Sequence, residues 1–141
     1  MEYGRGLTVF AILCLLAGCQ HAAQRHEPPA QRFGSVIGVK ADKLDHYREL
    51  HANAWPGVLA MITHCHIQNY SIYLHKLDDG NYYLFSYFEY TGDDFKADMA
   101  KMAADPLTQN WWKETDPCQF PVQNRGEGEW WASMEEVFHC P

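Results

Sequence analysis

Residues 66–90, HIQNYSIYLHKLDDGNYYLFSYFEY, decide the fold. HIQNYSIYLHKL alternates between apolar and polar residues and reads as a strand. DDGN, Asp78–Asn81, is a hairpin turn. YYLFSYFEY, Tyr82–Tyr90, reads as the returning strand and is aromatic on both faces. Two strands joined by so short a turn must be antiparallel neighbours in one sheet.

Each side of this hairpin carries a helical segment and then a strand. Upstream, ADKLDHYRELHANAWPGVLAMITHC reads as a helix, with Asp42 as its expected N-cap. Its stripe Leu44, Tyr47, His51, Trp55, Leu59, Ile62 recurs at helical spacing. Pro56 predicts a kink or a break into two helices. Before it, RFGSVIGVK, rich in Val and Ile, reads as a strand. Downstream, DDFKADMAKMAADPLTQNWW reads as a second helix divided by Pro106, and a proline-bearing loop follows it. The second half of WWASMEEVFHC is expected to form the fourth strand. The order β-α-β-β-α-β predicts a ferredoxin-like α+β fold, a four-stranded antiparallel sheet with both helices on one face. Aromatic residues on the far face predict a cover there, and a second copy of the chain, stacked sheet on sheet, is the simplest one.

The first 31 residues differ from the rest. Arg5 precedes an apolar run, Leu7–Ala17, too short to cross a bilayer as a mature helix and suited to a secretory signal. LAGC, Leu16–Cys19, resembles a bacterial lipobox. That resemblance implies a signal peptide over 1–18 and a lipid on Cys19; the alternative is an ordinary cleaved signal with an incidental cysteine. The expected location is the periplasmic side of a bacterial membrane, and Gln20 rather than Asp after the cysteine favours the outer membrane. QHAAQRHEPPAQ completes a flexible spacer over 19–31, and the domain occupies 32–141. Of five cysteines, Cys65, Cys118 and Cys140 remain in the mature domain, where at most one bridge can close; Cys118 with Cys140 is one possibility.

The net charge of −7 and the lack of a basic patch argue against nucleic acid as a partner. There is no glycine-rich phosphate loop, no GxSxG and no CxxC pair, so no cofactor is implied. His64-Cys65-His66 lacks matching ligands and reads as a helix end, not a metal site. Adjacent Glu135 and Glu136 would point to opposite faces of a strand, so at most one could reach a common site. Among the residues left, His51 is the best proton carrier. Tyr47 stands one helical turn before it, about 5–6 Å away at Cβ. Tyr70 lies on a strand of the same sheet, and Trp111 and Trp112 end the second helix. Indoles beside polar groups suit a sugar, covering its C–H face while polar neighbours bond its hydroxyls. Each residue also has a plainer reading: a histidine in an apolar stripe, or a tyrosine on a strand, is more often core.

ELHANAWPGVL, IQNYSIYL, MAADPLTQNWW and EVFH resemble, in order and style, the L-rhamnose mutarotase family over about residues 32–139. The resemblance implies a ferredoxin-like domain that dimerises through its sheets as a dimeric α/β barrel. It implies an isomerase that interconverts the α and β anomers of L-rhamnopyranose. It places the proton-donating histidine at His51, the sugar-binding tyrosines at Tyr47 and Tyr70, and the tandem tryptophans at Trp111 and Trp112. Gly57 stands where the family commonly has Glu, Cys65-His66 precedes the NYSI strand, and the loop PCQFPVQNRGEGEWW is long. The expected chemistry is protonation of the ring oxygen by His51, with Tyr47 or a water handling the C1 hydroxyl. The alternatives are an L-fucose mutarotase, or a lipid-anchored sugar or haem binder on the same fold.

Overall fold

The computed structural model describes residues 30–140. The expected signal segment 1–18, the lipidation site Cys19 and nearly all of the spacer 19–31 lie outside the described residues. The elements run β1 (Gln31–Val39), a 3-10 turn (Ala41–Lys43), α1 (Leu44–Ala52), α2 (Pro56–His64), β2 (Ile67–Lys76), β3 (Tyr82–Tyr90), α3 (Phe95–Ala104), α4 (Pro106–Thr115), a second 3-10 turn (Asp116–Cys118), β4 (Gln119–Phe120) and β5 (Ala132–Met134).

The sheet is antiparallel, in the order β2-β3-β1, with β4 and β5 both on the outer edge of β1. This is the ferredoxin-like arrangement the hairpin predicts. Both prolines break their helix for the same reason. Proline has no N–H for the preceding turn, and it pushes the residue before it out of helical geometry. Trp55 and Asp105 are accordingly extended, and Pro56 and Pro106 open new helices. Asp94 and Asp105 cap α3 and α4, accepting from Ala97 N and Thr108 N. Asp42 does not act as a cap. It sits inside the first 3-10 turn, and α1 begins after Lys43 without a capping side chain.

The fourth strand falls earlier than expected. Ala132–Met134 pairs with Val36–Gly34, and in that register Val137 would fall opposite Gln31, where β1 begins. With the partner strand running out, Val137 and Phe138 stay exposed. Arg32 and Glu136, next in register, meet through side chains instead, Nε donating to Oε1 at 2.9 Å. The two-residue β4 is an addition, pairing with the other end of the same edge.

One face of the sheet packs on the helices. Ile37 and Val39 of β1 and Leu84 of β3 form the core with Leu44 and Tyr47 of α1 and with Cys118. Burying each large aliphatic side chain contributes about 1.5–3 kcal/mol. Period-2 alternation sends Val36, Tyr83, Phe85 and Tyr87 to the opposite face. Tyr73 shares that face and is 64% exposed. Cys118 is a buried free thiol donating to Glu114 O, so a Cys118–Cys140 bridge is not formed.

α3 is tied to the hairpin by one carboxylate. Asp98, 6% exposed, accepts from His66 Nδ1, Tyr90 Oη and Lys101 Nζ, each at 2.8 Å. Lys101, His66 and Tyr90, in that order, hold its carboxyl far below the ordinary range. Burial and the neighbouring carboxylate push Tyr90 up to about 12. His64 does end α2, with Cys65 at the C-cap. His66, in left-handed geometry at φ 58°, belongs to the Asp98 cluster.

Candidate active site

Between the sheet and α1, α2 and α4 lie two adjoining cavities of about 390 and about 650 Å³. Tyr47, His51, Tyr70 and Trp111 line both, and Trp112 lines the first. All five residues singled out in the sequence therefore share one space. The volume is that of a small-molecule site.

Tyr47 and His51 do sit one turn apart on α1, with rings stacked at 4.1 Å between centroids. Trp55 does not extend their helical stripe, because it lies between α1 and α2. Leu59, next in the stripe, is 52% exposed. Trp55 reaches the site differently, packing edge-on against Trp111 at 5.3 Å. Trp111 meets His51 at the same distance, edge to face, so α4 pins the imidazole from the side.

His51 Nδ1 lies 2.9 Å from the backbone oxygen of Tyr47. A carbonyl only accepts, so the proton sits on Nδ1, and the neutral ring keeps its lone pair on Nε2. Burial lowers the pKa of the ring below its ordinary 6.5, and the bond to the carbonyl opposes that shift. Near neutral pH the residue is a proton acceptor. Tyr47 behaves oppositely. Burial raises its hydroxyl well above the ordinary range, helped by the neighbouring phenol of Tyr70. It stays protonated and can only donate a hydrogen bond or accept one as a neutral phenol.

Tyr70 enters the cavity because β2 is bulged. The pairing of β2 with β3 slips by one residue between Gln68 and Ser71. Asn69, at φ 50°, takes the left-handed turn that asparagine tolerates, and its side chain donates to Glu89 Oε2 at 2.7 Å. Without the slip, Tyr70 would lie on the face opposite Ile67. With it, Tyr70 packs edge-on against Phe88, and desolvation raises its hydroxyl pKa.

Among the polar and aromatic wall residues that the sequence reading missed are Asp116, Gln119 and Trp130. Asp116 stands exposed at the rim, and partial desolvation raises its carboxyl. Gln119 is buried and accepts from Trp130 Nε1 at 2.9 Å. They occupy a proline-bearing segment that shows no periodicity, and the pairing of β4 and β5 with β1 brings this stretch back to the sheet. Glu136 is engaged with Arg32, and neither it nor Glu135 lines the site. Among the described residues no group of three or more His, Cys, Asp or Glu side chains could hold a metal ion.

Fold and site together define a ferredoxin-like α+β domain with an aromatic-walled cavity, one neutral histidine and several hydroxyl donors, equipped for proton transfer on a small polar ligand. The family model described as L-rhamnose mutarotase matches residues 32–140, and the chain belongs to that family of carbohydrate isomerases. The L-rhamnose mutarotase of Oceanobacillus iheyensis is 31% identical over 109 residues, covering 77% of this chain and 97% of that protein. The crystal structure of an L-rhamnose mutarotase from Formosa agariphila superposes with a TM-score of 0.59 at 20% identity, over 79% of this chain and 99% of that one. Tetracenomycin F2 cyclase from Streptomyces glaucescens, a polyketide cyclase, shares the fold at a TM-score of 0.55 and 13% identity, covering 79% of this chain and all of that one. The fold alone thus accommodates unrelated chemistry, and the site must carry the functional argument.

Proposed function

We propose that this chain interconverts the α and β anomers of L-rhamnose, or of a similar 6-deoxyhexose, by acid–base ring opening. The observation that carries the reading is His51, held neutral by burial with Nδ1 committed to a carbonyl, so that Nε2 is its remaining basic nitrogen in the cavity wall. Mutarotation moves one proton from the C1 hydroxyl to the ring oxygen and back. Nε2 takes the proton of the C1 hydroxyl as the bond from C1 to the ring oxygen breaks. The imidazolium then delivers that proton to the ring oxygen. The open aldehyde turns about C1–C2, and the steps reverse on its other face. Because His51 starts as a base, acceptance comes before the donation the family resemblance implies. Tyr47, firmly protonated, polarises the ring oxygen as a donor. Tyr70 bonds a ring hydroxyl, and Trp111 and Trp112 cover the apolar sugar face. A positioned acid–base group contributes about 10²–10⁴-fold.

The test is His51→Ala, checked for folding, with anomer exchange followed by saturation-transfer NMR on L-rhamnose and L-fucose. Loss of exchange is expected, and a wild-type rate would remove His51 from the reaction. Preference for L-fucose would reassign the substrate.

The working form we propose is a homodimer tethered by lipid at Cys19 on the periplasmic side of the membrane. In support, the outer sheet face carries Tyr73, Tyr83, Phe85 and Tyr87, and Val137 and Phe138 are exposed as well. An apolar surface of this kind marks a protein contact. The tether rests on LAGC. Light scattering of residues 32–141 and mass spectrometry of the mature N-terminus decide the two points; a monomer, or an unmodified Cys19, would reject them.

A further inference from the structure

One part of the wall that His51 shares is fixed by a side chain that the proton-transfer scheme does not use. Gln119 is 5% exposed and sits on the short strand β4, which pairs with the end of β1. Its Oε1 accepts from Trp130 Nε1 at 2.9 Å. An indole N–H can only donate, so the amide cannot be turned the other way without losing that bond. The oxygen faces Trp130 and the NH2 faces elsewhere. Tyr47 is a near neighbour on the same wall, close enough for the amide to act on its hydroxyl. Gln119, Trp130 and Tyr47 all line the smaller cavity. An amide NH2 carries two hydrogens, and the bond to Trp130 uses neither of them.

Trp130 comes from the excursion between β4 and β5. The pairing sums differ by ten residues on the same edge of β1, so 121–131 loops out and returns beside its starting point. Glu129 closes the end of that loop, accepting from Gly126 N at 2.9 Å and from Ser133 Oγ at 2.6 Å. The loop thus delivers an indole N–H to a defined place.

We propose that Gln119 is a substrate-binding residue, with Trp130 as the positioning residue that aims its amide N–H at a sugar hydroxyl oxygen beside Tyr47. The loop 121–131 therefore sets which hydroxyl pattern the cavity accepts. The proposal rests on the mutarotase reading for the identity of the ligand, and not for the polarity of the wall. That wall offers donors side by side, so it selects a ligand with an acceptor oxygen at this point and discriminates against one that lacks it.

The experiment measures anomer exchange of L-rhamnose and its single-deoxy derivatives by wild type, Gln119→Leu, Gln119→Glu and Trp130→Phe. Gln119→Leu is expected to raise KM for L-rhamnose about tenfold, with kcat much less affected. It should also abolish the penalty that wild type shows against one particular deoxy derivative. Gln119→Glu keeps an acceptor for Trp130 but removes the donor, so it should raise KM alike; it stands in if the leucine variant does not fold. Trp130→Phe keeps the ring and loses the N–H. A KM rise of about two- to fivefold is expected, with no further effect when combined with Gln119→Leu. An unchanged KM and deoxy-sugar profile in both Gln119 variants would overturn the proposal while leaving the mutarotase reading intact. If wild type binds L-rhamnose by tryptophan fluorescence but does not exchange its anomers, the mutarotase reading fails and the same variants are judged by Kd. If it neither binds nor exchanges, both fall.

Discussion

His51 and His66 both bond through Nδ1, and the difference in what surrounds them separates a site from a scaffold. His66 donates to Asp98, a carboxylate that Tyr90 and Lys101 also serve, so both oxygens at the centre of that cluster are engaged within the fold. None of these four residues lines either cavity. His51 spends its one donor on a backbone carbonyl, stacks on Tyr47 and faces a cavity with its basic nitrogen uncommitted to that bond. A polar cluster that satisfies itself holds the fold together; one that leaves capacity toward a cavity is available to a ligand.

The comparison can be broken most easily at His51. His51→Ala should cut kcat/KM for anomer exchange by about 10²–10⁴-fold, with the thermal midpoint little changed. Next comes Asp98→Asn, which should lower the midpoint by several degrees in a thermal melt while the folded fraction keeps its rate. A large loss of kcat without loss of stability would put the Asp98 cluster in the chemistry.

Acid separates the two regions again. The active form of His51 is neutral and its pKa lies below 6.5, so kcat/KM should be flat at neutral pH and fall only as pH drops through that lowered value. Asp98 is held below its ordinary 3.8. Its contribution to stability is therefore complete above about that pH and is lost as pH falls through the still lower folded value. A pH series of rates and melting curves should show activity failing first and the fold later; coincident loss would mean that unfolding, not His51, sets the acid limb. A smaller effect belongs to Tyr70→Phe, which removes one hydroxyl from the wall and should raise KM by about three- to tenfold. No change in KM would leave Tyr70 a packing residue against Phe88.

Much of this was legible in the residues. The hairpin turn at Asp78–Asn81, the two alternating strands around it and the prolines at 56 and 106 gave the element order, because turn chemistry and the missing proline N–H act locally. Tyr47, His51 and the tandem tryptophans were found through helical spacing and family motifs. The position of the last strand was not legible. Val137 and Phe138 look like strand residues, but a strand needs a partner, and β1 has ended by then. Tyr70 lines the cavity although simple alternation from Ile67 points it away; the slip at Asn69 turns it inward. Gln119 and Trp130 gave no signal, since neither belongs to a periodic segment.

By itself the sequence determined what local rules control: which segments are helix or strand, where proline interrupts them, and that an imidazole and a phenol stand one turn apart on α1. Only the tertiary structure decided that β2 slips by one residue, that the chain returns to the edge of β1 twice, and that Trp130 thereby reaches Gln119. Register and long-range return are settled by contacts between residues far apart in the chain, and those contacts exist only once the sheet has formed.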